Sequence, residues 1–437
     1  MNERFLGRLS LGALATMLAS GAVAAMIGCS NGTTDTDVQL DAPDVESPDA
    51  SDATRPQEDA DADADAGQAD AQADADAGDA EPRTCSDDFV CHTQLPPKSF
   101  LRDVWSAGDG VVWAVGWADP ILSASKGSIL RWDGKTWTKV FEEANRLHAI
   151  WGSSPTDIWV GGDNGLFHGT GPSSDALTWT KVRSEVISSI WGTSESDVWA
   201  VGSTKTYITM FDGKVLHYQG PAQDGSDGWE LDPISTGTVG FRKVWGSGPN
   251  DVWIAGQYDR GCSIFCIQEA VVYHRVAGEN GPTWSQAGMP SFGYNGLRGS
   301  VFSGGGSIGP NNVWLFGSTV PEIYSSQDGR FMGVAKNDGS GEFAWTPGTF
   351  GTCEGYWYCK NVWFTRAVWG TKPDDVFLAG DYGQVRHWDG RQFTFVKTTL
   401  EFIPSTASLY AMWGSSNTDL WIVGDGIALH KLSPSTH

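Results

Sequence analysis

One unit of sequence recurs seven times from Phe100 onward, and this repeat limits the fold more than any other property of the chain. It reads apolar residue, Trp, Gly; a short polar turn; Asp, Val, Trp; two residues; Gly. The best copies are Ile150-Trp151-Gly152 with Asp157-Ile158-Trp159 and Gly162, and Ile190-Trp191-Gly192 with Asp197-Val198-Trp199 and Gly202. Val244-Trp245-Gly246 with Asp251-Val252-Trp253, and Met412-Trp413-Gly414 with Asp419-Leu420-Trp421, follow the same pattern. Val368-Trp369-Gly370 with Asp375-Val376-Phe377 is a close relative. Val104-Trp105 with Val112-Trp113 lacks the Gly and the Asp, and Val301-Phe302 with Asn312-Val313-Trp314 diverges most. The first aromatics fall at 105, 151, 191, 245, 302, 369 and 413, so the period is 40–67 residues.

Each unit reads as four strands. Strand A is the Trp-Gly segment, and strand B is of the type Val198-Trp199-Ala200-Val201-Gly202. The turn between them, as in Gly152-Ser153-Ser154-Pro155-Thr156-Asp157, places a carboxylate where it can cap turn amides. Strand C, as in Ser128-Ile129-Leu130-Arg131-Trp132, ends in Asp133-Gly134, a hairpin signal, and strand D follows as Thr136–Val140. Phe211-Asp212-Gly213 and Trp388-Asp389-Gly390 read as the same turn. The 55 Gly and 22 Trp, with few runs of helix formers, agree with short strands and tight turns. The expected fold is all-β: a seven-bladed β-propeller of four-stranded antiparallel blades over 84–437. The seventh unit stops at strand C, Ala428–Leu432, so Phe89–Leu95 is expected to supply the missing edge and latch the ring.

On these motifs the chain, over about 100–435, resembles bacterial surface β-propeller lipoproteins with Trp-Gly and Asp-Val-Trp repeats. It is also similar to Asp-box and photosystem-assembly-factor propellers, although no Ser-x-Asp-x-Gly-x-x-Trp box is intact. The resemblance implies a fold and leaves function open.

Residues 1–29 have the form of an export signal: Arg4 and Arg8, then a mostly apolar run, Leu9–Ile27. The end, Met26-Ile27-Gly28-Cys29, resembles a bacterial lipobox, which implies acylation of Cys29 and a lipid anchor in the envelope. Ser30, in place of Asp, implies the outer membrane or cell surface. The competing reading is an uncleaved membrane helix. Residues 30–83 carry 17 acidic and two basic side chains and no aromatic residue. Such a segment cannot offset its ordering entropy and is expected to be a disordered stalk reaching about 40 Å or more. Its Asp-x-Asp-x-Asp run lacks the Gly and Glu of a calcium loop. A net charge of −24 excludes a basic nucleic-acid surface, and a monomer is expected.

Six further cysteines fall in local pairs, which suggests disulfides Cys85–Cys91, Cys262–Cys266 and Cys353–Cys359 in an exported protein. Zinc is the rival reading, but no Cys-x-x-Cys spacing occurs, and neither metal nor cofactor is expected. Insertions at 203–207, 219–240, 257–268, 286–299 and 346–364 are expected on the face carrying the B–C and D–A connections. They hold Tyr258, Arg260, Tyr294, Tyr356, Trp357, Tyr358 and Trp363, either a recognition surface or caps on exposed blade ends.

The position three before the first aromatic lies at one level around the channel mouth. It holds Arg102, His148, Ser188, Arg242, Gly299, Arg366 and Tyr410, with Arg298 one step away. Converging guanidiniums suit a carboxylate, sulfate or phosphate, unless neighbouring acids such as Asp103 or Asp381 pair with them. His168, His274, His387 and His430 share a strand C position, too far apart to share a metal, and read as packing residues. Two function classes remain. One is a non-catalytic surface binding or interaction module for an anionic glycan or a protein partner. The other is a glycan-directed, sialidase-like hydrolase or lyase, which needs a carboxylate pair that the repeat does not bring to the mouth. An envelope assembly factor is a third reading and rests on the resemblance alone.

Overall fold

The computed structural model describes residues 83–434 apart from 120–124, 208–209, 236, 263–265, 279–280, 289–301, 320–326, 339, 348–363 and 401–404. The chain divides into units Met1–Asp76 and Ala77–His437, and the described residues belong to the second. The signal, Cys29 and almost all of the stalk lie outside the described residues, as do Arg298, Cys353 and Cys359.

Seven four-stranded antiparallel sheets form a seven-bladed β-propeller. Blade 1 consists of Phe100–Ser106, Val112–Trp117, Gly127–Trp132 and Trp137–Glu143, which are its strands A to D. Blades 2 to 6 repeat the order over Leu147–Arg183, Ser189–Leu231, Val239–Gln286, Phe302–Pro347 and Thr365–Val396. Blade 7 takes its first three strands from Leu409–Ser416, Asp419–Gly424 and Ile427–Leu432. Its fourth is Val90–His92, antiparallel to the third with Val90 opposite Lys431 and His92 opposite Leu429. The latch expected from the sequence is therefore present, and the Cys85–Cys91 disulfide braces it.

The Trp-Gly repeat is a device for joining blades. The strand A tryptophan of one blade lies over the glycine of the next. A Cβ on Gly152 would come within 2.7 Å of Trp105, on Gly192 within 2.8 Å of Trp151, and on Gly246 within 2.6 Å of Trp191. Around blade 7, Trp369 meets Gly414 in the same way, and Ser106 stands where blade 1 should carry its glycine. The strand B tryptophans Trp113, Trp159, Trp199, Trp253, Trp314 and Trp421 are all 2% exposed or less. Among the described residues, seven core clusters occupy the seams between adjacent blades; the one joining blade 1 to blade 7 packs Leu101 and Leu130 with Trp421 and Val423. A ring closed by seven packed seams follows directly.

The glycine ending strand B has a separate cause. A Cβ on Gly116, Gly202, Gly380 or Gly424 would sit 1.9–2.1 Å from a carbonyl oxygen at the start of strand A. Only glycine admits that close approach.

Three expectations need correction. In blade 5, Phe302 pairs with Gly317, as Leu101 pairs with Gly116, and it is Gly306 that faces Trp314. The repeat there is displaced by four residues, because Gly306 replaces the tryptophan that marks the other copies; Ser303 takes the mouth position assigned to Gly299. Phe211-Asp212-Gly213 is no C–D turn. Gly213 pairs with Ser203 inside a B–C hairpin that runs past the usual glycine to Tyr207 and Met210. Residues 219–228 link strand C to strand D at the A–B-turn end of blade 3, where Tyr218 pairs with Val198, and not on the face of the B–C turns. Asp133-Gly134 and Asp389-Gly390 are the expected turns, with glycine φ of 98° and 88°.

Candidate ligand-binding mouth

Strand A begins with a bulge in which one residue has no partner on strand B. Register shifts fall between Leu101 and Asp103, Leu147 and Ala149, Phe241 and Lys243, Phe302 and Gly304, Thr365 and Ala367, and Leu409 and Ala411. The unpaired residues are Arg102, His148, Arg242, Ser303, Arg366 and Tyr410, with Ser188 at the corresponding place in blade 3. The bulge turns each of them out of the sheet at the B–C end, which puts them on one circle at the mouth of the channel.

The residue after the strand B glycine sits beside this circle and in several blades neutralises it. His148 donates through Nε2 to Asp163 Oδ1 at 2.7 Å. Burial pushes Asp163 up, but the bond to His148 together with the charges of His148 and Arg146 outweighs it, so the carboxyl stays below its usual value. Arg366 meets Asp381 through two hydrogen bonds, Nε to Oδ1 at 2.6 Å and Nη2 to Oδ2 at 3.2 Å. Arg102 crosses to blade 7 and donates to Asp425 Oδ1 at 2.8 Å, while Tyr410 donates to Asp425 Oδ2 at 3.3 Å. The Arg102 guanidinium lies between Trp117, 4.1 Å from the ring centre, and Tyr410, 3.8 Å away. Arg366 lies 5.0 Å from the same Tyr410 ring. Blades 6, 7 and 1 thus carry a continuous stack of cations and rings.

Asp103 is not the partner of Arg102. Its carboxylate accepts the N–H groups of Val104 and of Ile150 in the next blade, each at 3.0 Å. Burial raises its pKa against the opposing charge of Lys243. Both oxygens accept backbone N–H groups, one within blade 1 and one across the seam to blade 2, an architectural use rather than that of a free acid. Arg242 differs from the other cations of the mouth. It is exposed, no carboxylate among the described residues pairs with it, and partial loss of water lowers its pKa. A cleft between blades 5 and 6, lined by Arg330, Phe364, Asp381, Gln384 and Arg386, has room for about one water.

The strand C histidines do more than pack. In five blades a histidine lies opposite the strand B aromatic in register: Trp159 and His168, Trp199 and His217, Trp253 and His274, Phe377 and His387, Trp421 and His430. Ring centroids are 3.8–4.4 Å apart. Each imidazole donates through Nε2 to the Asp that opens strand B, at 2.5–2.8 Å. The other oxygen of that Asp accepts a turn hydroxyl: Ser153, Thr193, Ser247, Thr371 or Ser415. The hydroxyl bonds the carboxylate and not the imidazole, so the order needed to activate a nucleophile is not formed. Sequence reasoning missed His217, the fifth member, and its place opposite Trp199 with Asp197 opening strand B was the cue that would have found it.

Cys85–Cys91 is a disulfide, and Cys262 pairs with Cys266 in backbone register at the tip of the blade 4 hairpin. Among the described residues no group of three or more His, Cys, Asp or Glu could hold a metal ion.

The fold and the mouth define a seven-bladed propeller with a ring of polar and aromatic residues at the start of its inner strands. No protein-family model and no curated protein matches the chain. Solved structures do match in fold. YCF48 from Cyanidioschyzon merolae aligns at TM-score 0.53 and 15% identity, covering 80% of this chain and 100% of that one. YCF48 bound to D1 peptide aligns at 0.51 and 12%, covering 79% and 97%. The extracellular domain of the BT4673 hybrid two-component system from B. thetaiotaomicron aligns at 0.52 and 11%, covering 78% of this chain and 39% of that one.

Proposed function

We propose that this chain is an exported, non-catalytic binding module, anchored through lipid on Cys29 and held off the membrane by the 30–83 stalk. Its ligand face is the mouth, and its ligand or protein partner presents an acidic group there. The observation that carries this reading is Arg242, a cation on a circle whose other charged members already have partners. A protein partner is supported by the peptide-bound YCF48 propeller, and export by the extracellular location of the BT4673 domain. A hydrolase would need a paired acid and nucleophile at the mouth. Asp163, Asp381 and Asp425 are instead each held by a mouth residue.

The full-length protein, screened on glycan and peptide arrays, tests this directly. Binding to acidic glycans or acidic peptides is expected, with Arg242→Ala removing most of it. Turnover of a bound glycan, or no binding on either array, overturns the reading. Cys29→Ser is expected to release the protein from the membrane fraction and to abolish fatty-acid labelling.

A further inference from the structure

Two arginines stand where the repeat calls for packing residues. In six blades the strand C residue opposite the one that follows the strand B aromatic is aliphatic or aromatic, as Leu130, Leu216 and Leu429 show. In blade 6 it is Arg386, opposite Leu378. One step further along the ladder, six blades again carry an aliphatic residue, such as Ile129, Val215 or Val272. Blade 5 carries Arg330 there, opposite Phe316. Phe316 and Leu378 belong to one core cluster, which fills the seam between blades 5 and 6. Both departures therefore fall on the two walls of a single seam, and both arginines line its cleft. Among the described residues this is also the seam without a tryptophan lock. Gly306 stands in the place of the tryptophan, and the atoms nearest a Cβ on Gly370 would belong to Asp375 and Val376.

A guanidinium at such a position gives up water without making the apolar contact its counterparts make, so packing does not account for the exchange. Where a sequence breaks its own packing rule, function is the usual reason. The cleft is what the two arginines share. It is open to solvent on one side and measures about 230 Å³ with that side included, while its floor admits a single water-sized atom. Arg386 is already oriented: Nη2 donates to Gln384 Oε1 at 3.2 Å, and the guanidinium lies over Phe395, 3.8 Å from the ring centre. Asp381, also in the lining, is engaged by Arg366. We propose that this cleft is an oxyanion site in which Arg330 and Arg386 receive a carboxylate, with one oxygen reaching the floor. The charge of Asp381 disfavours a doubly charged group there, so a carboxylate is preferred to a phosphate. The use of the site rests on the binding-module reading, to which it adds a point of attachment apart from Arg242 in blade 4.

Calorimetric titration of the full-length protein with acetate, acetamide and phosphate at neutral pH tests the site. Acetate is expected to bind, acetamide not measurably, and phosphate about tenfold more weakly than acetate. Arg386→Leu and Arg330→Val restore the residue types that the other blades carry. Each is expected to weaken acetate binding about tenfold while the melting temperature holds or rises, which separates loss of the site from loss of the fold. No binding of acetate, equal binding of acetamide, or acetate binding that survives both substitutions overturns the site. A lowered melting temperature with unchanged acetate affinity assigns the arginines to packing and overturns it as well. Array ligands that bind both variants as tightly as the parent leave the binding module standing and remove the site. Acetate held by the two arginines, with no ligand found on either array, removes the module reading and keeps the site.

Discussion

At the scale of single residues, stability is concentrated where a ring meets a glycine or a histidine. Gly152→Ala drives a methyl into the Trp105 indole at 2.7 Å, with no flexible side chain to give way. It is expected to cost about 1–3 kcal/mol in urea unfolding, as overpacked cores do. Trp159→Ala, at a site 2% exposed, is expected to cost about 3–5 kcal/mol. His430 carries a pH signature. Burial lowers its pKa below 6.5, and the hydrogen bond to Asp419 only partly restores it. The unfolded chain therefore takes the proton first on acidification. The contribution is complete above about pH 6.5 and is lost as pH falls through the lower folded value. His430→Asn should flatten the dependence of melting temperature on pH between about 7 and 5; an unchanged slope would locate the effect elsewhere. The tryptophans and glycines of these contacts were readable in the sequence because each recurs at a fixed place. The mouth pairs were not, since Arg102 and Asp425 lie 323 residues apart and only ring closure makes them neighbours.

At the scale of elements, the latch strand and blade 5 teach opposite lessons. A missing fourth strand in the last repeat was enough to assign Phe89–Leu95 to the edge, within which Val90–His92 forms the strand, because an open edge demands a partner. The N-terminal segment is stitched to blade 6 as well. Ser86 donates to the Lys397 carbonyl at 2.5 Å, and His92 Nε2 donates to the Thr398 carbonyl at 2.6 Å. The Cys85→Ser, Cys91→Ser pair is expected to lose about 2 kcal/mol, the closure entropy of a short loop, without loss of the fold. Deleting 84–95 removes buried Val90 and exposes the edge of Ile427–Leu432, and loss of the cooperative transition with association in light scattering is expected. Blade 5 was misplaced by four residues because its marker had become Gly306, and a motif anchored on one aromatic slides to the nearest other one. The extended hairpins of blades 3 and 4 looked like loops for a similar reason. Their continuation past Gly202 and Gly256 is set by pairing across the hairpin, which spacing alone does not encode.

For the whole molecule, the Asp-His-hydroxyl network repeated around the ring predicts a sharp acid limit. In Asp157, Asp197, Asp251 and Asp375 burial opposes ionisation, and hydrogen bonds from histidine and hydroxyl outweigh it, leaving all four below the usual carboxylate value. A depressed folded pKa means the unfolded state binds protons first. Stability from these groups is intact above about pH 4 and disappears as pH falls through the folded values. Circular dichroism against pH should show a plateau and then a steep loss, and replacing two of the four with Asn should make that loss shallower. The ring has one further consequence, for the order of assembly. Its final seam joins the earliest part of the propeller to emerge from synthesis with the last. Residues 90–92 therefore wait, without their partner strand, until 427–432 have been synthesised, and maturation of this protein is a wait for its own tail.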